Sequence, residues 1–236
     1  MHPIPNEIED RILDFLHDSK PTLKACALVC KAWLPTSRYH LTPVIKLNPH
    51  TVDYIIKIFK NPNCTIRSCT ELIVDNWYIL EEAKITEALQ HLSTHLKPSS
   101  LRLIISGITH EMQSALTLFQ SVERLVLVKM TSGDWINVLL LFPNLHQLHI
   151  KHCILKPPHT WTFLPLRLHS LEFTSCKMEP LLRYFIDGCI VPTDLLSIRY
   201  AGQDDMSTIG EYFTRFANVL QEVRIGGFSL PDQIGT

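Results

Sequence analysis

The sequence predicts an α/β protein: a short all-α helical segment over residues 1–41, then a strand-and-return repeat solenoid over residues 42–236. Three observations predict it. Apolar residues in the first forty positions recur at three-to-four residue spacing, the period of an amphipathic helix. From residue 42 a six-residue pattern, apolar at its first, fourth and sixth positions, replaces that spacing. The pattern then returns every 23 to 29 residues, with starts at 42, 69, 98, 122, 145, 168, 195 and 220.

The first helix is carried by Ile8, Ile12, Leu13, Phe15 and Leu16, with Glu9, Asp10, Arg11 and Asp14 between them. These apolar residues are expected to form one stripe. Asp18-Ser19-Lys20-Pro21 breaks the pattern. Pro21 suits the opening turn of a second helix and Ser19 its cap. That helix carries Leu23, Ala27, Leu28 and Val29. Trp33 follows, and Pro35 is expected to limit how far the helix runs.

The later copies of the six-residue pattern are the clearest. They read Leu145-His146-Gln147-Leu148-His149-Ile150 and Leu168-His169-Ser170-Leu171-Glu172-Phe173. Val122, Leu125 and Leu127 fit, as do Leu195, Ile198 and Tyr200, then Leu220, Val223 and Ile225. Cys69, Leu72 and Val74 are a weaker copy, like Pro98, Leu101 and Leu103; Thr42, Ile45 and Leu47 form a degenerate first one. Each copy predicts a short strand whose fourth and sixth residues enter the core. Returns at 52–59, 83–96, 112–119, 135–142, 181–185 and 209–216 read as helices. No unit of this size buries its own apolar face, so neighbours must stack. An alternating sheet-and-helix domain of another topology is the competing architecture.

Composition narrows the function classes. Apolar residues are 46% and charged residues 19%, enough apolar content for a buried core. The net charge of −1 provides no global basic field for nucleic acid or an anionic membrane. No unbroken apolar run, Val138 to Phe142 included, is long enough to span a bilayer. The polar, acidic start does not resemble a secretory signal. An intracellular location, cytoplasmic or nuclear, is therefore expected, with the seven cysteines as reduced thiols.

No catalytic constellation is expected. There is no nucleophile elbow, phosphate loop or dinucleotide fingerprint. Glu81-Glu82 and Asp204-Asp205 are adjacent carboxylates, which do not face each other on a helix. His146, His149, His152 and Cys153 form the densest metal-ligand cluster, but a strand sends alternate side chains to opposite faces. No metal or cofactor is expected.

Several ordered elements of the N-terminal segment resemble an F-box. They are Ile4-Pro5-Asn6-Glu7-Ile8, Arg11-Ile12-Leu13-Asp14-Phe15-Leu16 and Leu28-Val29-Cys30-Lys31-Ala32-Trp33, with the tail Leu34-Pro35-Thr36-Ser37-Arg38. The style is closest to fungal F-box proteins, with Ile4-Pro5 in place of the usual Leu-Pro. The resemblance implies docking onto the Skp-family adaptor, and through it a cullin, of an SCF-type ubiquitin ligase. It also implies contacts through Ile4, Pro5, Ile8, Ile12, Leu13, Leu28, Val29, Cys30 and Trp33. Without the motif, packing of the stripe against the domain behind it would account equally well for its periodicity.

The period of the second segment is that of leucine-rich repeats. Such repeats favour Asn or Cys near the positions of Cys153 and Cys176, which are expected as buried ladder residues. In such arrays the outward strand residues at each unit's fifth and seventh positions are contact candidates. The fifth positions are Ile73, Arg102, Val126, His149, Glu172, Arg199 and Arg224. The seventh are Asp75, Ile104, Val128, Lys151, Thr174, Ala201 and Gly226. This mixed surface suits a protein target better than a phosphate backbone. Arg102, Val126, His149, Lys151, Glu172, Arg199 and Arg224 are the named target-binding candidates. The expected function is a non-catalytic substrate receptor of the ligase. The alternative is a leucine-rich-repeat interaction scaffold unconnected to ubiquitination. The chain stops soon after its last strand, so a frayed or shortened final unit is expected.

Overall fold

A computed structural model describes residues 5–62, 64, 66, 69–76, 81–133, 135–156, 168–177, 179–187, 197–201, 210–212, 214 and 221–225. Three helices come first: α1 (Asn6–Phe15), α2 (Lys20–Cys26) and α3 (Trp33–Leu41). Eight strands follow: β1 (Val44–Leu47), β2 (Glu71–Asn76), β3 (Ser100–Ile105), β4 (Arg124–Val128), β5 (Gln147–Lys151), β6 (Ser170–Thr174), β7 (Ser197–Ala201) and β8 (Glu222–Ile225). Between them lie α4 (Val52–Phe59), α5 (Glu82–Ser93), α6 (His110–Leu116), α7 (Trp135–Leu140) and α8 (Glu179–Asp187). The strands form one sheet in chain order, every neighbouring pair parallel.

Period-two alternation builds the sheet. In β2 and β3 every second residue is buried. Leu72, Val74, Leu101, Leu103, Leu125, Leu127, Leu148, Ile150, Leu171, Phe173 and Ile198 are almost wholly shielded from solvent. They share one core with Ile55 and Phe59 of α4, Ile85 and Leu89 of α5, Met112 and Leu116 of α6, Trp135 and Leu139 of α7, and Leu181 of α8. The helices therefore cover one face of the sheet. Backbone donors tie each strand's start to the segment before the preceding strand or within it: Ser100 N–H to Thr70 O, Gln147 N–H to Glu123 O, Ser170 N–H to His146 O. After β4, β5 and β6 the chain turns through Lys129, His152 and Ser175, at φ values of 62°, 52° and 53°. The N–H of each donates to the next strand's last residue.

The cysteines follow burial. Cys153 Sγ donates to Lys151 O at 3.2 Å and Cys176 Sγ to Ile150 O at 3.4 Å, and both side chains are buried. Burial pushes the Cys69 and Cys153 thiols up to about 11, so neither supplies a thiolate near neutral pH. None of the six described cysteines takes part in a disulfide.

Two expectations are corrected. The described chain is one α/β fold on a continuous all-parallel sheet, in place of an all-α segment set before a leucine-rich-repeat solenoid. Only Thr42 and Pro43 separate α3 from β1, and the Thr70 N–H bonds back to Pro43 O. The apolar fourth and sixth positions mark the buried face of a parallel strand. Any strand–helix alternation in one sheet generates that pattern, and unequal spacings of 23 to 29 residues are no obstacle to it. The second correction concerns Pro35. It lies in the first turn of a third helix, where its missing N–H costs nothing, and does not end the second.

Among the described residues no helix is long and apolar enough to cross a membrane.

Candidate functional site: an exposed apolar face on the N-terminal helices

The N-terminal helices divide their apolar residues between a small interior and open solvent. Leu13, Leu23 and Cys26 are buried. Two polar contacts hold α3 against α1: Thr36 Oγ1 donates to Asp10 Oδ1 at 2.5 Å, and His40 Nε2 lies 2.8 Å from Asp14 Oδ1. Asp10 and Asp14 are four residues apart, hence on one side of α1. Ile8, Ile12 and Phe15 take the opposite side, at 45%, 43% and 86% exposure. Beyond α2, Leu28 is 87% and Val29 64% exposed. Six of the eleven exposed large apolar residues among those described lie before residue 42: these five and Tyr39. Isolated exposed apolar residues are ordinary, whereas such a concentration marks an interaction surface.

The residues named from the F-box resemblance are thus not equivalent. Ile8, Ile12, Leu28, Val29 and Cys30 are exposed, as is Pro5, which begins α1. Trp33 is half-buried at the start of α3. Leu13 is buried inside the helical segment, so it supports the face from within. Ile4 lies outside the described residues. The single stripe expected from spacing is in fact two faces: Leu13 points inward, and Ile8, Ile12 and Phe15 point to solvent. Phe15 was not among the contact candidates, although its place seven residues after Ile8 was the available signal.

The second surface is the sheet face away from the helices. Register aligns Ile73, Arg102, Val126, His149, Glu172, Arg199 and Arg224 in one row across β2 to β8. Two of these target-binding candidates are corrected: Val126 is 3% and His149 6% exposed, although both occupy outward strand positions. His149 Nε2 is 3.1 Å from Thr174 Oγ1, and its Nδ1 is 3.5 Å from Glu172 Oε2. Burial holds the imidazole down at about 4, with Lys151, Arg124 and Arg102 acting in the same direction and Glu172 against them. His149 is therefore neutral at physiological pH. Arg102 pairs with Glu71 at 3.0 Å, and Arg199 and Arg224 both approach Glu222. Lys151 is half-buried. Gly226 lies outside the described residues.

A parallel row was overlooked: Glu71, Ser100, Arg124, Gln147, Ser170, Ser197 and Glu222, at the third position of each unit. Strand alternation places them on the same outward face. Among the described residues no three His, Cys, Asp or Glu side chains gather closely enough to hold a metal ion.

No protein-family model matches the chain, and no curated protein matches it.

Proposed function

We propose that this protein is the substrate-receptor subunit of an SCF-type cullin-RING ubiquitin ligase. It would dock the Skp-family adaptor through the N-terminal helices and present a protein target on the outward face of its sheet. The carrying observation is that Ile8, Ile12, Leu28 and Val29, named by the F-box resemblance, all lie exposed. Were the stripe needed to anchor the helices on the sheet domain, these residues would be buried. Leu13, Leu23 and Cys26 already provide the interior that holds the helices together.

The contribution is proximity, not chemistry at a site of its own. A receptor that binds adaptor and target together raises the local concentration of target lysines near the transfer machinery. The test is co-purification with a recombinant Skp-family adaptor, comparing the intact chain with Leu28→Asp/Val29→Asp. Two carboxylates buried unpaired in the interface cost several kcal/mol, so binding should vanish while circular dichroism stays unchanged. Both residues are exposed in the free chain, so folding should not suffer. If the folded, intact chain fails to bind the adaptor, the receptor assignment fails, and an interaction scaffold outside ubiquitination replaces it.

A further inference from the structure

On the helical layer, behind the sheet, a groove of about 410 Å³ lies between α5 and the start of α6. Glu82, Glu87 and Glu111 line it, and no lysine, arginine or histidine does. The seam between α4 and α5 is built differently. There Lys60 reaches Glu87 at 2.6 Å, and Lys84 reaches Asp53 at 3.3 Å and Glu81 at 3.0 Å. Each carboxylate along that seam faces a lysine, and Glu87 is already paired. Glu82 and Glu111 form no ion pair with a lysine or arginine among the described residues; the adjacent His110 acts on Glu111.

Thr109 Oγ1 donates to Glu82 Oε1 and accepts from the Met112 N–H at 3.4 Å. The Glu111 carboxyl is held below its usual range by its own backbone N–H and then by the same Thr109 hydroxyl. A hydroxyl has one proton, so two carboxylates converge on a donor that can serve only one of them. Both glutamates stand in the first turn of their helices, where each N-terminus offsets roughly half a charge. About one negative charge is left on the pair. Thr86 is an independent sign of a missing partner. It follows Glu82 by four residues, on the same side of α5, and lines the groove. The residue is 8% exposed, and its hydroxyl is shielded from water without a hydrogen-bond partner. A helical threonine has two χ1 wells, so this hydroxyl can turn to a group seated in the groove. An unpaired buried hydroxyl is costly, and a ligand donor would remove that cost.

We propose that this groove binds a protonated alkylamine, its ammonium held by Glu82, Glu111 and the Thr86 hydroxyl and its methylene stem lying along Ala83. Three acceptors match the three N–H donors of an ammonium. The planar fork of a guanidinium brings five donors and is suited to bidentate pairing with one carboxylate. A single residual charge fits a monovalent cation. A divalent metal wants more oxygen ligands, and among the described residues no three His, Cys, Asp or Glu side chains gather to hold one. The side chain of a peptide lysine and a free aliphatic amine present the same head and stem. This site lies on the layer opposite the proposed target-binding face and does not depend on the receptor function.

The experiment titrates the full chain at pH 7 and low salt with n-pentylamine and with N-acetyl-lysine amide, followed by calorimetry and saturation-transfer NMR. N-acetyl-arginine amide, pentan-1-ol and magnesium chloride are run beside them. Saturable amine binding is expected, weakened about fivefold by Glu111→Gln and about tenfold or more by Glu82→Gln/Glu111→Gln. The amide oxygen of a glutamine still accepts from Thr109, so these variants should keep the parent's circular dichroism. Thr86→Val preserves shape and removes the hydroxyl, so binding should weaken while the melting temperature does not fall; Thr86→Ser should keep binding. Tighter binding of N-acetyl-lysine amide assigns the site to a peptide lysine, and tighter binding of n-pentylamine to a free amine. Absence of saturation overturns the proposal, as does binding indifferent to Glu82→Gln/Glu111→Gln. Pentan-1-ol binding as tight as the amines overturns the charge assignment, and N-acetyl-arginine amide binding as tight overturns the ammonium assignment. Magnesium binding that is tighter and lost with the two glutamates overturns it for a metal. Leu28→Asp/Val29→Asp should bind the amine normally while losing the adaptor, and Glu82→Gln/Glu111→Gln should do the reverse. Failure of one surface is thereby separable from failure of the other.

Discussion

The N-terminal helices and the sheet use apolar residues in opposite ways. In the sheet, nearly every large apolar residue of the strand pattern is buried against a helix, and the outward face mixes polar and ion-paired side chains with partly or wholly covered apolar ones such as Ile73 and Val126. In the segment from α1 to α3, a three-residue apolar interior of Leu13, Leu23 and Cys26 coexists with six large apolar side chains open to water. A segment of about forty residues has too little volume to bury all of them. The sheet shows what the chain does with apolar surface needed for its own stability; the helices show apolar surface left for something else.

The largest expected effect tests that contrast inside each region. Phe173→Ala removes a fully buried ring from the sheet core and should cost about 3–5 kcal/mol. Leu13→Ala should cost about 2–5 kcal/mol, the range for a buried leucine. Leu13 lies outside the sheet's core cluster, so its loss should melt the helices and leave the sheet transition in place. Calorimetry of both variants decides the matter. A single transition lowered equally by either change would show one cooperative unit and erase the distinction.

A smaller effect concerns His149. Its folded value of about 4 lies below the ordinary 6.5, so the unfolded chain takes up a proton that the folded chain refuses. Above pH about 6.5 the imidazole is neutral in both states and contributes no pH dependence. As pH falls from 6.5 toward 4, stability declines, by about 1–2 kcal/mol at pH 5. Denaturant melts at pH 7 and pH 5 should show this loss, and His149→Gln should flatten it. A variant with the same slope as the parent would place the pH sensitivity elsewhere.

How much of this was legible follows from which signals are local. The strand positions were readable because alternation at Leu148 and Ile150 or Leu171 and Phe173 is set by neighbours in sequence. The helix α4 was expected at 52–59 and occupies Val52–Phe59. The turn that leads into it was not foreseen, since the Asn48 side chain accepts from the backbone N–H groups of His50 and Thr51 only once that turn has formed. The architecture was misread because a strand period reports burial and not the arrangement of strands. Val126 and His149 were misread because alternation gives the direction of a side chain and not what lies over it. Leu13 and Phe15 were merged because spacing alone cannot tell which side of a helix its neighbours α2 and α3 will cover.

That last pair yields the smallest expected effect on stability and the most direct test of the contrast. Phe15 is 86% exposed, two residues from fully buried Leu13. Phe15→Ser removes a ring that touches mostly water, so stability should change by less than about 0.5 kcal/mol. If the exposed face is a docking surface, the same change should weaken adaptor binding, because a large aromatic side chain is the kind that anchors an interface. A protein that melts like the parent but binds the adaptor less tightly would place Phe15 on the docking surface. A protein that loses stability outright would mean the ring is covered in the folded chain, and the division between an inward Leu13 and an outward Phe15 would collapse.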